Sequence, residues 1–334
     1  MFSVKLFGGL MSHSRFLWPA TRGVKWLLPL FIGCFVLGCS PDADDDDDGN
    51  PGSGSSTPDP ADANQASGAG DDALVYLTSG SYDRIHIEID YMADDDPDDA
   101  VDNGPGQAAL DGLVALLEET CNKPGGITYD LSESDIIPIP TNSEGVQKTE
   151  YSYSEINDLE VQYRDRYHKN GTAILYFLYV NGFYTYQGES TAVIGFAHHG
   201  SSMAIMKGMV NQAPLLLARE FYEKSVIRHE VGHLLGLVTT GIDAVDGTHV
   251  DNDPDTGKGA HCTNTNCLMY WQVSTADFLI SALSGGDLDL DQDCRDDIAA
   301  AGGRATTEAP RTVHARAPVS TEAHPPTNPS GIVF

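Results

Sequence analysis

The spacing of hydrophobic residues predicts alternating strands and helices through the middle of the chain. Apolar and polar side chains alternate over residues 84–91, which is the period of a half-buried strand. Apolar residues recur every three or four positions over 107–120 and indicate an amphipathic helix. The run 173–180 is continuously apolar between glycine-containing turns, as expected of a central strand. These elements predict a sheet packed against helices, in the α/β or α+β class.

A second group of elements follows closely in the sequence. Residues 191–196 have the composition of a further strand, which is followed by His198-His199-Gly200 and a segment over 202–206. A helix is predicted to begin near Pro214, because one stripe of residues recurs at steps of three or four. The stripe consists of Leu215, Ala218, Tyr222, Val226, His229 and His233. Its last two members are histidines, so this helix presents imidazoles on its buried side.

The helix carries the motif His229-Glu230-Val231-Gly232-His233. Two imidazoles four residues apart lie on one face of a helix and can bind one zinc ion. The adjacent Glu230 is then placed to act as general base on a zinc-activated water, which is the chemistry of metal-assisted peptide hydrolysis. The alternative interpretation is that both histidines are ordinary helix residues with satisfied side chains.

A catalytic zinc site takes three protein ligands, so a third must come from elsewhere in the chain. The next glutamate after Glu230 is Glu308, in a segment without a predicted core, which disfavours the class that uses a downstream glutamate. Downstream histidines are the better candidates.

Gly236 stands three residues after His233, where it can end the helix and turn the chain back under the metal. A histidine three residues beyond that glycine would complete a metzincin motif, but position 239 is Thr239. The next histidines are His249 and His261. Either of them, or an aspartate such as Asp246, remains open as the third ligand at this point.

The segment 261–269 distinguishes these candidates by resemblance. Its pattern HC-x4-C-x-M, together with HExxHxxG upstream, resembles the archaemetzincins, a family of metzincin zinc peptidases. The resemblance implies a zincin fold with a mixed twisted sheet and an active-site helix, His261 as third zinc ligand, and Met269 as the methionine of the Met-turn. It also implies an insertion, because 24 residues separate Gly236 from His261 where the family has two. A long surface loop adds only ~0.6 kcal/mol of closure entropy per doubling of length.

In metzincin-like folds the last strand before the active-site helix forms an edge along the substrate cleft. The resemblance therefore places residues 197–204 at the rim of the cleft. His198 and His199 would then either contact substrate or be exposed loop residues without a task.

Four cysteines follow the leader: Cys121, Cys262, Cys267 and Cys294. In an exported protein they suggest two disulfides, with Cys262–Cys267 and Cys121–Cys294 as the preferred pairing among three. Archaemetzincins instead use cysteines that include a later C-x-x-C pair for a second, structural zinc. No such pair follows Cys267 here, which disfavours that site, although four free thiols would favour it again.

The two ends of the chain differ in composition from its middle. Residues 1–39 resemble a secretory signal with a bacterial lipobox ending at Cys39, the predicted lipidation site; a plain signal or an uncleaved anchor is the alternative. Residues 40–72 are predicted to form an acidic disordered tether, and 303–334 a disordered tail. The catalytic domain is assigned to 73–302. The predicted location is outside the cytoplasm, on a membrane facing the periplasm or the exterior.

The chain is strongly acidic, with a net charge of −30. Such a surface repels nucleic acid, which excludes it as a partner. The run 287–293 lacks the glycine and closing glutamate of a calcium hand and indicates a solvated helix start instead. Calcium remains a second candidate ion in the insertion, through Asp243, Asp246, Asp251, Asp253 and Asp255.

These features together predict an exported, membrane-tethered zinc endopeptidase that acts on a peptide or protein substrate, with Glu230 as general base and acid. The alternative is a non-catalytic zincin-like module for surface binding or adhesion, and hydrolysis of a non-peptide amide is a third reading. The presence of Glu230 favours an enzyme, because a binding module has no chemical use for a carboxylate beside the metal. The sequence leaves the oligomeric state open.

Overall fold

The computed structural model describes residues 68–93, 104–131, 135–213, 216–251, 259–274 and 288–304 of the 334-residue chain. The predicted leader with Cys39, most of the predicted tether and nearly all of the predicted tail lie outside these residues. Among the helices that the structure describes, none is both long enough and apolar enough to cross a membrane.

The chain folds into a mixed α/β structure around one main sheet. Its strands are β1 (Arg84–Ala93), β2 (Ile127–Tyr129), β3 (Ile136–Pro138), β4 (Glu150–Ser152), β5 (Thr172–Val180), β6 (Phe183–Tyr186), β7 (Glu189–Ser190), β8 (Gly195–His199), β9 (Ser202–Met206), β10 (Val250–Asp251) and β11 (His261–Cys262). The helices are α1 (Ala73–Leu77), α2 (Gln107–Thr120), α3 (Tyr153–Tyr163), α4 (Lys207–Asn211), α5 (Leu216–Leu234) and α6 (Gln292–Ala300). Short 3₁₀ turns cover Gly247–His249 and Trp271–Ser274.

The main sheet has the strand order β2-β1-β5-β9-β8, and β3 pairs with the same edge of β1 as an additional strand. All neighbouring pairs are parallel except β8 with β9, which is antiparallel. Parallel strands need a crossover connection: α2 lies in the connection from β1 to β2, whereas strands β6, β7 and β8 lie in the connection from β5 to β9. The result is a mixed sheet whose one antiparallel strand lies at an edge.

Each face of the sheet has its own hydrophobic core. Helices α2 and α5 pack on one face against inward residues such as Ile87, Leu175 and Ile205. On the other face, Ile156 and Leu159 of α3 pack against alternate residues of the same strands. Helix α5, with the histidine motif, therefore lies on the opposite face from α3.

Several predicted elements are confirmed. The helix over 107–120 has the predicted bounds, and the strand over 173–180 is extended by one residue. The segment over 202–206 forms strand β9. Helix α5 begins at Leu216, two residues after Pro214, which itself lies outside the described residues. The motif is thus on a helix, as the metal geometry requires.

The strand predicted over 84–91 is present, but the prediction that it is half-buried is wrong for its second half. Strand β1 is an interior strand, and its polar residues Glu88 and Asp90 are buried, although Arg84 at its start is exposed. The backbone N–H groups of Asp165 and Arg166 donate to Glu88, and the Tyr176 hydroxyl donates to Asp90. Burial raises the pKa of both carboxyls to about 7, because it removes the solvation of the charged form.

The edge strand also differs from the prediction. The predicted strand 191–196 is displaced, because β8 begins only at Gly195 and runs to His199. Strand β9, the last before α5, is interior, and β8 forms the edge in its place. His198 and His199 are not exposed loop residues, since both lie in β8 and are buried.

Candidate metal centre

Three imidazoles converge at one buried point beside the sheet. His229 and His233 lie one turn apart on α5, and the distance between their Nε2 atoms is 3.3 Å. The Nε2 atom of His261 lies 3.3 Å from that of His229. All three side chains are buried, and the three residues form one potential metal-binding group. The structure thus brings together the three histidines that the sequence nominated.

Local backbone geometry explains why α5 stops where it does. Gly236 follows the helix with φ +80°, the left-handed region that glycine adopts without strain. A Cβ atom at this position would lie 2.7 Å from Ala73 Cβ and 2.9 Å from the backbone nitrogen of Ile242. The chain therefore turns at Gly236, as predicted, and needs a glycine both for its φ and for close packing.

A short β-ribbon returns the inserted segment to α5. Strands β10 and β11 pair antiparallel, with Asp251 opposite His261. The other candidates for third ligand are engaged elsewhere: the ring of His249 bonds the Asp297 carboxylate at 2.9 Å, and Asp246 accepts from the N–H of Thr248. His261 is the candidate that the fold delivers to the pair on α5.

His229, His233 and His261, here called the histidine cage, fit a zinc ion in the tautomer of His229 and in the spacing of their ring nitrogens. The Nδ1 atom of His229 lies 2.7 Å from the carbonyl oxygen of Leu268, so the proton is on Nδ1 and the Nε2 lone pair faces the cage. Burial, with further repulsion from His261, lowers the pKa of His229 to about 3, and burial likewise lowers the pKa of His233. Neutral imidazoles are the form that binds metal. Two nitrogen ligands ~2.0–2.1 Å from a tetrahedral zinc lie about 3.3–3.4 Å apart, which matches the observed spacing.

The carboxylate of Glu230 lies between the helix and the edge strand. Its Oε2 atom accepts a hydrogen bond of 3.0 Å from the Ala197 backbone N–H of β8. Burial raises the pKa of Glu230 to about 8, and the hydrogen bond from Ala197 opposes that shift. The contact places β8 directly beside the proposed catalytic group.

Met269 packs against the helix at the level of the cage. It is fully buried, and a Cβ atom at Gly232 would lie only 2.2 Å from its Sδ atom. The carbonyl of Met269 accepts from the N–H of Cys262, which follows His261. The Met269 carbonyl therefore holds the residue that follows His261.

Arg228 is a positioning residue that the motif did not reveal. Its guanidinium donates to the Leu288 carbonyl at 2.6 Å and to the Asp289 carboxylate at 2.7 Å. The carbonyl of Asp289 in turn accepts from the N–H of Leu268, whose own carbonyl holds His229. The arginine thus anchors the segment that orients the first imidazole. The sequence shows a charged residue at this position but not its partners Leu288 and Asp289, which lie 60 and 61 residues further along the chain.

A second cluster of potential ligands lies next to the turn at Met269. The ligand atoms of Cys262, Cys267, Asp291 and Cys294 all lie within 4.8 Å of one another. The Sγ atoms of Cys267 and Cys294 are 3.7 Å apart, and two thiolates ~2.3 Å from one tetrahedral zinc lie about 3.8 Å apart. Contacts with Cys262 and Cys294 lower the pKa of Cys267 to about 5, which favours a thiolate. The cluster fits a second zinc ion.

Neither disulfide of the preferred pairing is present. All four described cysteines are free, and Cys121 lies at the end of α2, where its Sγ contacts the Thr120 hydroxyl. Asp291 was not predicted as a ligand, because it stands where a second zinc site of this kind would have a cysteine. The signal was Asp291-Gln-Asp-Cys294, which has the spacing of C-x-x-C with aspartate in the first position. Asp291 is also the N-cap of α6, so the solvated helix start predicted over 287–293 begins there.

The predicted calcium ligands show no common site in the described part of the insertion. Asp246 caps a 3₁₀ turn, and Asp251 lies in β10 opposite His261. Asp253 and Asp255 lie outside the described residues. Calcium therefore has no support from the residues that the structure describes.

Comparison with known proteins gives two structural similarities. No protein-family profile matches the chain, and no curated protein matches it either. The archaemetzincin from Methanopyrus kandleri superposes with a TM-score of 0.39 at 12% identity, covering 67% of this chain and 98% of that one. A zinc-dependent peptidase from Methanocorpusculum labreanum superposes with a TM-score of 0.37 at 16% identity, covering 64% and 99%. Similarity at this level assigns the chain neither a family nor an activity.

Proposed function

We propose that this chain is a zinc-dependent endopeptidase with a metzincin-like active site. The observation that carries the proposal is the convergence of His229, His233 and His261, with Nε2 spacings of 3.3 Å and Glu230 on the same helix. Three neutral imidazoles and one adjacent carboxylate are the donor set of a hydrolytic zinc site. The substrate is a peptide or protein.

When bound, zinc supplies Lewis acidity that polarises the scissile carbonyl and lowers the pKa of a water. The positive charge of the bound ion would lower the pKa of Glu230 again, and the carboxylate would then accept the proton of the attacking water and pass it to the leaving amine. The Ala197 N–H fixes one carboxylate oxygen and leaves the other for this proton transfer. The mechanism needs no covalent intermediate on the enzyme.

The edge strand β8 is the proposed docking site for an extended substrate. It ends the sheet on the side next to Glu230 and has a β-bulge between Ala197 and His199. Extended peptides add to exposed sheet edges through main-chain hydrogen bonds. A peptide bound there would present its backbone to the histidine cage.

The test is a comparison of Glu230→Gln with wild-type protein. We expect the variant to retain zinc at wild-type stoichiometry and to lose hydrolysis of a quenched fluorogenic peptide library by at least about 10²-fold, the scale of general acid–base catalysis. Glu220→Gln, on the same helix but outside the cage, is the matched control and keeps both properties. Full zinc binding without hydrolysis by the wild-type protein would instead support the non-catalytic binding module.

We propose in addition that Cys262, Cys267, Cys294 and Asp291 hold a structural zinc. Free thiols at 3.7 Å and a carboxylate oxygen 3.3 Å from the Cys262 sulfur support this assignment. The site would tie α6 to the turn that carries Met269.

The export prediction also stands as a proposal. Cys39 would carry the lipid, and residues 40–72 would tether the domain to the membrane. Metabolic labelling with a fatty acid tests this proposal: the label is expected on the wild-type protein and absent from Cys39→Ala. Equal labelling of the two proteins would contradict it.

A further inference from the structure

A third group of potential metal ligands lies on the other face of the sheet, away from the histidine cage. The ligand atoms of Glu160, His198 and His199 are all buried and lie within 4.8 Å of one another. Glu160 comes from α3, and both histidines come from the edge strand β8. His198 contacts the rings of Tyr153 and Phe196, which belong to the core beneath α3. The group is therefore separate from the site on α5.

A β-bulge explains why two consecutive histidines can serve one ion. Successive side chains of a regular strand point to opposite faces, so His198 and His199 would normally diverge. The register between β8 and β9 shifts between Ala197 and His199, and the two imidazole centroids lie 4.7 Å apart. Bulges re-aim side chains in this way next to functional sites.

Several polar atoms of the group are buried and have no hydrogen-bond partner. They are Oε2 of Glu160 and both ring nitrogens of His198, whose side chain is 0% exposed. Leaving such groups unsatisfied is destabilising, and a bound ion is one of the standard explanations. The distance between Glu160 Oε2 and His198 Nε2 is 3.5 Å, close to the ~3.3–3.4 Å between two ligands of one tetrahedral zinc.

The second oxygen of Glu160 is held in place, which aims the first at the histidines. Oε1 accepts from Arg164 at 2.7 Å and from the Ser202 hydroxyl. The guanidinium opposes a cation nearby, and its ion pair with Oε1 of Glu160 partly offsets that charge. Burial lowers the pKa of His198 to about 4, which leaves the imidazole neutral and able to donate its lone pair.

We propose that Glu160, His198 and His199 form a site for a divalent transition metal, zinc being the ion that this ligand set suits. Two imidazoles and one carboxylate are an established zinc donor set, and the absence of exposed surface on His198 indicates a structural ion. The ion would fasten α3 to the edge strand. The Ala197 N–H of that strand donates to Glu230, so the ion would also stabilise the strand next to the proposed catalytic residue.

The test counts zinc in the full-length protein after removal of metal, reloading with Zn²⁺ alone and removal of excess. We expect His198→Ala/His199→Ala to bind one equivalent fewer than wild type, and Glu160→Gln to show the same loss while keeping an oxygen for Arg164 and Ser202. His86→Ala, a histidine on β1 outside the three potential ligand groups, is the control and keeps the wild-type count.

Circular dichroism must show that each variant is folded, and a folded variant that retains the wild-type count overturns the proposal. If the variants do not fold, a measurement on the wild-type protein alone still tests the proposal. Anomalous scattering at the zinc edge should place a peak between Glu160 and His198 in crystals of the reloaded protein, and no peak there overturns the proposal. Repeating the count in a His229→Ala background separates this site from the proposed catalytic one, because the difference of one equivalent should persist.

Discussion

Gly232→Ala tests whether the turn at Met269 supports the histidine cage. The added Cβ would lie 2.2 Å from Met269 Sδ and 3.0 Å from its Cε, against ~3.5–4.0 Å for a van der Waals contact. The methionine is fully buried, so it must retreat by more than an ångström into packed surroundings. Overpacking of this kind costs typically ~1–3 kcal/mol, and the gain of about 1 kcal/mol from alanine's helix propensity offsets part of it.

We therefore expect Gly232→Ala to lower stability by ~1 kcal/mol, which corresponds to a fall in Tm of about 2–4 °C for a domain of this size. Displacement of Met269 also moves the Leu268 carbonyl that orients His229, so zinc affinity should fall by roughly tenfold, as it does when supporting hydrogen bonds of ligands are disturbed. Thermal unfolding and competition with a zinc-binding dye measure the two effects.

Gly247→Ala is the control. Nothing lies within 4 Å of the Cβ that this substitution would add, so Tm should stay constant. In a double-mutant cycle, Met269→Ala should destabilise the Gly232→Ala protein less than it destabilises wild type, because the clash is relieved. Unchanged Tm and zinc affinity in Gly232→Ala would refute the packing on which this reasoning depends.

Three further predictions concern the surroundings of the site. Burial raises the pKa of Asp90 to about 7. The folded state therefore keeps the carboxyl proton to higher pH than the unfolded state does, and the protein loses stability as pH rises from about 4 to 7. Asp90→Asn should accordingly be more stable than wild type by about 2 kcal/mol at pH 8, after allowance for solvent screening, and equal to it near pH 4 in urea titrations. Cys267→Ser should lose one equivalent of zinc and several degrees of Tm, while Cys121→Ser should keep its zinc. A reductant should leave the Tm of the wild-type protein unchanged, and a Tm that falls with reductant would indicate disulfides instead. Arg228→Met should weaken zinc binding about tenfold by freeing the segment 288–289, and wild-type affinity in that variant would exclude the positioning role.

The sequence predicted the histidine motif on a helix because spacing on a helix fixes which side chains share a face. It could not decide between His249 and His261 by spacing alone, since the inserted segment separates both from Gly236. The decision depends on the pairing of β10 with β11, a long-range contact that leaves His249 bonded to Asp297.

The burial of β1 and the positions of the cysteines also depend on contacts distant in the chain. An alternating pattern indicates one covered face, yet Glu88 is buried because backbone N–H groups after α3 satisfy its carboxylate. Cysteine count gives the number of possible pairings but no distances, so it does not predict the approach of Cys294 to Cys267, and only the spacing Asp291-x-x-Cys294 indicates it. The two histidines of β8 converge through a bulge that no residue in the sequence marks.

The position of the metal tests the central claim most directly. Crystals of zinc-loaded wild-type protein should show an anomalous peak at the zinc edge bonded to the Nε2 atoms of His229, His233 and His261, at the ~2.0–2.1 Å expected of zinc–histidine bonds. An empty cage in zinc-loaded protein, or a peak there without the ring of His261, would contradict the account.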